Sequence, residues 1–250
     1  MNTRIFPAAL PALGRRIVSS LRRASFWAAC TACLVALPAW PGEAEWRLLH
    51  EQAEQHLRRG SLEQAELFAR EALREAEASL GREHRAAEAS LATLSAALRL
   101  RGRHEEALPH ARRLVALREK LYGAEDPTTA IAVHNHAEIL IAREQFAAAE
   151  KLQRRALAVF EKKFGEKHFH TAAALHNLGA ILLRQQKHRE AEKFLRRALA
   201  AKEQSLKPGH LSIAHTLDNL AVALEAQGRE IEAQRYRRRA ETIRRQAAQG

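Results

Sequence analysis

Residues 174–199 read ALHNLGAILLRQQKHREAEKFLRRAL. Leu175, Leu178 and Leu182 recur at i, i+3 and i+7, the spacing of one helical face. Gln186-Lys187-His188 interrupts that pattern, and Ala191, Phe194, Leu195, Ala198 and Leu199 start a second one. The stretch is therefore two amphipathic helices joined by a short turn. Gly179, Ala191 and Ala198 are small, which lets the two helices approach closely. A single hairpin of this kind cannot bury its apolar face, so it has to stack on neighbours.

The neighbours are in the sequence. Ala65, Ala107, Ala149, Ala191 and Ala233 are spaced by 42 residues without an insertion. The same step gives Ala72, Leu114, Ala156, Ala198 and Ala240. A first turn column holds Gly60, Gly102, Glu144, Gln186 and Gly228. A second holds Gly81, Gly123 and Gly165, then Lys207 beside Pro208-Gly209, each followed three residues on by His84, Asp126, His168 or His210. Asn135, Asn177 and Asn219 form a further column on the first helices. So many coincident columns specify a repeat array.

The quoted unit, with Leu175-His176-Asn177-Leu178-Gly179, Arg189-Glu190-Ala191-Glu192 and Arg197-Ala198-Leu199, resembles the tetratricopeptide repeat. The 42-residue step and the link Phe164-Gly165-Glu166-Lys167-His168 are similar to the kinesin-light-chain subclass of that family. A 34-residue repeat is usual, and the extra length extends both helices. The expected fold class is all-α: an α-solenoid of about five helix-turn-helix repeats, which the resemblance winds into a right-handed superhelix. Repeats are expected at 44–85, 86–127, 128–169, 170–211 and 212–250. His136 stands where the equivalents are Leu94, Leu178 and Leu220, so the third unit is expected to pack imperfectly. Gln52 in the first unit suits a terminal hairpin with a polar outer face.

Composition agrees with helices: aromatics are only 5%, and Ala, Leu, Glu, Arg and Gln dominate. The net charge of +12 is uneven. Arg4, Arg15, Arg16, Arg22 and Arg23, and no acid, precede Ala39, so the remainder carries +7. Ala24 to Gly42 is uncharged and includes Phe26, Trp27, Leu34, Val35 and Leu37. A basic segment, an apolar run and the small residue Ala39 read as a signal peptide over residues 1–39, with cleavage after Ala39 or, second, after Ala44. Export to the periplasm or cell envelope of a bacterium follows. An uncleaved membrane anchor is the competing reading, weakened by Pro38. Cys30 and Cys33 both fall in this segment, so the rest of the chain has no cysteine and no disulfide.

No pattern of catalysis is present: there is no phosphate-binding Gly-rich loop, no nucleophile elbow and no HExxH. No enzyme activity and no cofactor are expected. His134/His136 and His168/His170 are spaced i, i+2, which on a helix turns the rings about 200° apart. No metal site is expected from them. Arg154-Arg155, Arg196-Arg197 and Arg238-Arg239 lie on second helices, within reach of acids such as Glu150 and Glu192 four residues earlier. Without interleaved aromatics they do not read as a nucleic-acid surface, and no nucleic-acid partner is expected.

The family resemblance puts the first helices on a concave face. It implies a partner-binding groove of Ile131, His134, Asn135 and Glu138 from the third unit. The fourth adds Ala173, His176, Asn177, Ala180 and Arg184, and the fifth His215, Asp218, Asn219 and Val222. The partner expected is a protein, presenting a peptide or a helix. Each Asn has two donors and an acceptor, matching a peptide group. Two roles fit that column: holding an extended partner backbone, or bonding to the adjacent repeat. The leading expectation is an exported interaction scaffold. The alternative is a membrane-anchored structural or assembly subunit of an envelope complex.

Overall fold

A computed structural model describes residues 41–249. The expected signal segment, with Cys30 and Cys33, lies outside them. Ten α-helices run in succession among the described residues: α1 (Pro41–Arg58), α2 (Leu62–Glu75), α3 (Arg85–Leu100), α4 (His104–Tyr122), α5 (Pro127–Ala142), α6 (Phe146–Phe164), α7 (Phe169–Arg184), α8 (His188–Ser205), α9 (Leu211–Glu225) and α10 (Glu230–Gln249). A π-helical stretch, Ala76–Leu80, extends α2. Each helix packs on the next, and the array is an all-α solenoid of five hairpins.

The repeat columns have physical roles. Gly60, Gly102 and Gly228 adopt φ near +75°, and Glu144 and Gln186 adopt φ of 58° and 60° at the same place. That conformation closes the first helix. In the fourth unit Lys187 N–H donates to Leu182 O and Gln186 N–H to Leu183 O, both at 2.9 Å. Gln186 is exposed and strained where three other repeats use glycine. An L-residue there costs about 1–2 kcal/mol, against about 0.5–1 kcal/mol of extra backbone entropy lost by Gly. Gln186→Gly should therefore stabilise the array, by about 0.5–1 kcal/mol in urea denaturation; a lower midpoint would contradict this account.

The second column caps the first helices. His84 Nδ1 accepts from Ala86 N–H at 3.1 Å, Asp126 Oδ1 from Thr128 N–H at 2.7 Å, His168 Nδ1 from His170 N–H at 3.2 Å, and His210 Nδ1 from Ser212 N–H at 3.1 Å. In the last link the positive φ falls on Gly209, not on Lys207, which shares the glycine register.

Small residues sit where the helices cross. Ala65, Ala107, Ala149, Ala191 and Ala233 are fully buried. Gly179 packs directly on Leu195: a Cβ there would lie 2.5 Å from Leu195 Cγ. His136 is buried in the leucine column, and its Nε2 has no hydrogen-bond partner.

Curvature follows from which helices meet. The backbones of successive first helices approach closely, α1 with α3, α3 with α5, α5 with α7 and α7 with α9, whereas those of successive second helices stand farther apart. The first helices therefore form the tighter, inner layer. The second helices are spread on the outside and joined there by ion pairs. Arg155 meets Glu119 and Arg197 meets Glu161, each at 2.6 Å, and Arg239 meets Glu203 at 2.5 Å. Arg113 meets Glu77 in the same register.

Candidate functional site

The inner layer is built from α1, α3, α5, α7 and α9, and the thirteen expected groove residues, on the last three of these, divide by helical column. Ile131 and Ala173 are half-buried and His215 is exposed. Asn135, Asn177 and Asn219 are all half-buried. Glu138 and Ala180 are half-buried, and Val222 is exposed. These three columns share the open side of the layer.

The fourth column differs. His134, His176 and Asp218 each have a polar partner within the array, Gln153 of α6, Thr216 of α9 and Arg244 of α10, and His176 also lines a cleft with Ala173, Asn177 and His215. His134 is buried, with Nδ1 2.9 Å from Gln153 Nε2, and that amide also donates to Ala174 O at 3.2 Å. His176 Nδ1 lies 3.0 Å from Thr216 Oγ1 on α9. Burial, with Lys202 and His215 close by, pushes His176 down to about 3. Asp218 pairs with Arg244 of α10. The physical reason is angular. Adjacent helical positions differ by about 100°, and an inner helix has neighbours on both sides, so only part of its surface stays open.

Within the open columns Glu138 collects partners from three repeats. Arg99 Nη1 of α3 lies 3.0 Å away, His134 Nε2 3.5 Å, and Asn177 Nδ2 donates to Glu138 Oε1 at 3.3 Å. Burial pushes the Glu138 carboxyl up, but these donors outweigh it and hold it below its ordinary value. Asn177 thus bonds to the adjacent repeat with one donor, as one of its two expected roles required. Asn135 and Asn219 make no side-chain hydrogen bond among the described residues. Arg184 sits at the rim, 2.8 Å from Glu144 Oε1 and 4.7 Å above the Phe146 ring.

One other expectation changes. His168 and His170 do not point apart on one helix, because His168 precedes α7 as its cap. Their rings lie 5.4 Å apart in an aromatic cluster with Phe160, Phe164 and Phe169. No three His, Cys, Asp or Glu side chains are grouped for a metal ion among the described residues. The outer Arg pairs find the acids four residues back, Arg154 with Glu150 at 2.9 Å and Arg196 with Glu192 at 2.8 Å, and also acids of adjacent repeats, such as Glu190 at 2.6 Å from Arg154. No helix of the described residues is long and apolar enough to cross a membrane.

Sequence reasoning missed Lys202. Its side chain is buried, although lysine is normally a surface residue. The signal was in the register: equivalents 42 and 126 residues earlier are Phe160 and Ala76, both fully buried.

Comparison with known proteins gives the same architecture. Family models of the tetratricopeptide repeat match residues 128–204, 170–246 and 89–128. No curated protein sequence matches the chain. Among solved structures, a putative kinesin light chain from Podosopora anserina with nearly identical repeats of this type is 24% identical, with a TM-score of 0.67, over 83% of this chain and 98% of that one. BtubC from P. vanneervenii is 24% identical with a TM-score of 0.69, over 82% of each chain. MamA from Desulfovibrio magneticus is 16% identical with a TM-score of 0.61, over 81% of this chain and 96% of that one. At these identities the likeness is one of fold.

Proposed function

Because the chain belongs to the tetratricopeptide repeat family, we propose that it is a non-catalytic scaffold holding a peptide or helix of a partner protein against its inner layer. Proteins of this family generally bind other proteins, which is the coarse part of the reading. The finer part rests on one observation. Asn135, Asn177 and Asn219 recur on the open side of three stacked first helices, and their amides are largely unspent. A partner backbone lying across them would find a donor and an acceptor at each step. Ile131, Ala173, Ala180 and Val222 supply apolar contact beside them, and Glu138 and Arg184 a polar rim. Arg154, Arg155, Arg196, Arg197 and Arg239 on the outer helices are paired with glutamates, which favours a protein over a nucleic acid as partner.

The same reading takes residues 1–39 as an export signal cleaved after Ala39. Gly42, in the first turn of α1, packs against Ser79, so a cut after Ala44 would remove a structured turn. The test is capture of partners from bacterial envelope extracts, with the intact mass of the purified chain read alongside. Asn177→Ala should weaken partner binding about three- to tenfold, the effect of roughly 0.5–1.5 kcal/mol from one neutral hydrogen-bonding side chain. Unchanged affinity together with a lower melting temperature would make the Asn column a packing device. A mass that retains Met1 on chain recovered from the soluble cytoplasm would remove the export reading.

A further inference from the structure

Lys202 is a buried cation without an acid. It is 5% exposed, and Nζ donates to Ser212 O at 3.2 Å and to Thr216 Oγ1 at 2.9 Å. Its third N–H has no acceptor among the described residues. An ammonium taken out of water needs a counter-charge, or burial works against it. Here burial alone acts, and it holds Lys202 down at about 8.

The same joint elsewhere in the array shows what is missing. Eighty-four residues, two repeats, before Lys202 stands Arg118. Arg118 Nη1 donates to Thr128 O at 2.7 Å, and Thr128 is the equivalent of Ser212. Arg118 also has a carboxylate: Glu88 Oε1, 2.6 Å from its Nε. The equivalent of Glu88 is Ala172. One repeat after Arg118 the corresponding pair is Phe160 with Ala130, wholly apolar. The joint thus occurs as an ion pair, as an apolar pair, and once as a cation facing an alanine. Ala172 and Lys202 both line a cleft of about 280 Å³ that opens beside α7 and α9, and none of its lining residues is acidic. Phe169 and Leu206 give it apolar walls.

We propose that this cleft binds a carboxylate group of a ligand, which takes the place that Glu88 fills beside Arg118. The ligand is a short organic acid or an acidic side chain of a bound peptide. Both present one carboxylate on a short apolar stem, matching the size and walls of the cleft. Ala173, His176, Asn177 and His215 also line the cleft, so the site adjoins the groove, but a free carboxylate tests it whether or not the groove holds a peptide.

The experiment is calorimetric titration of the full chain at pH 8 with butyrate, with N-acetylglutamate amide and with inorganic phosphate, in two buffers of different ionisation enthalpy. His176 on α7, His215 on α9 and the capping His210 are the other titratable groups of the cleft. Either carboxylate should bind saturably and take up about half a proton, because Lys202 is about half charged at that pH. The tighter of the two identifies the source. Lys202→Met should weaken binding roughly tenfold or more, the loss of one charge-assisted hydrogen bond, and abolish the proton uptake. Ala172→Glu supplies the carboxylate internally; it should block both probes and raise the melting temperature, so the test survives a Lys202→Met chain that fails to fold. No carboxylate binding by the wild type, binding that both variants leave unchanged, or tighter binding of phosphate would each overturn the proposal.

Discussion

Lowering the pH from 7 to 5 should cost the array about 4 kcal/mol of stability, mainly through His136 and His176. Burial, with Arg112 close by, holds His136 down at about 4, and burial holds His176 near 3. Both start from 6.5 in the unfolded chain. Between the two values the unfolded state binds the proton and the folded state does not, so stability rises with pH. It is complete above 6.5 and is lost as pH falls, down to about 4 for the first residue and 3 for the second. At pH 5 each costs about 2 kcal/mol, 1.36 kcal/mol per unit over 1.5 units. His50, His110 and His170 are shifted in the same direction by burial and act in the same sense. His136→Leu restores the residue of Leu94, Leu178 and Leu220 and removes a buried nitrogen without a partner. It should raise stability at pH 5 by about 2 kcal/mol or more and reduce the pH slope by about half. Urea midpoints at both pH values for the two proteins measure this. Equal wild-type midpoints at pH 7 and 5, or an unchanged slope in His136→Leu, would show that these rings reach water in the folded state.

The fold was legible because each column of the period answers one local requirement. A left-handed turn wants glycine, a helix start wants an acceptor side chain, and a close crossing wants alanine. Those demands recur every 42 residues and involve only neighbours along the chain. The groove was less legible. Its side of the array could be expected, but not which of its polar side chains find partners within the array. Nothing in His134, His176 or Asp218 themselves says that Gln153, Thr216 or Arg244 will meet them, since that depends on how far one helix is turned against its neighbour. The outer ion-pair ladder was also hidden: its partners stand 36 residues apart, as in Arg197 with Glu161, a spacing set by the tilt of stacked hairpins. Lys202 shows the opposite error. Its type says surface, while its register, shared with the fully buried Phe160 and Ala76 and the half-buried Arg118, says a covered joint between hairpins, and register decides.

Gly179 sets two physical effects against each other, and its substitution should show which wins. Glycine inside an exposed helix costs about 1 kcal/mol relative to alanine, so propensity alone makes Gly179→Ala stabilising by that amount. The position is not exposed, however. The new methyl would lie 2.5 Å from Leu195 Cγ and 2.7 Å from its Cδ2, and Leu195 is fully buried. The branch carbon of a packed leucine cannot swing aside as a chain end can. Overpacking of this kind costs typically about 1–3 kcal/mol, so Gly179→Ala should come out destabilising by about 1 kcal/mol and Gly179→Leu by about 3 kcal/mol or more. Leu195→Ala alone should cost about 2–5 kcal/mol through the cavity it leaves. The double variant should cost less than the two single changes combined, because each relieves the other, giving a coupling of about 1 kcal/mol or more. Chemical denaturation of the four proteins supplies the cycle. If Gly179→Ala were more stable than the wild type and the two sites simply added, the crossing of α7 and α8 would be loose, and a glycine would not be needed there. A tight crossing has a consequence for binding as well. α7 carries the central amide of the Asn column, and a methyl that pushes α7 off α8 shifts Asn177 relative to Asn135 and Asn219. Gly179→Ala should then weaken partner capture more than its loss of stability alone removes folded protein.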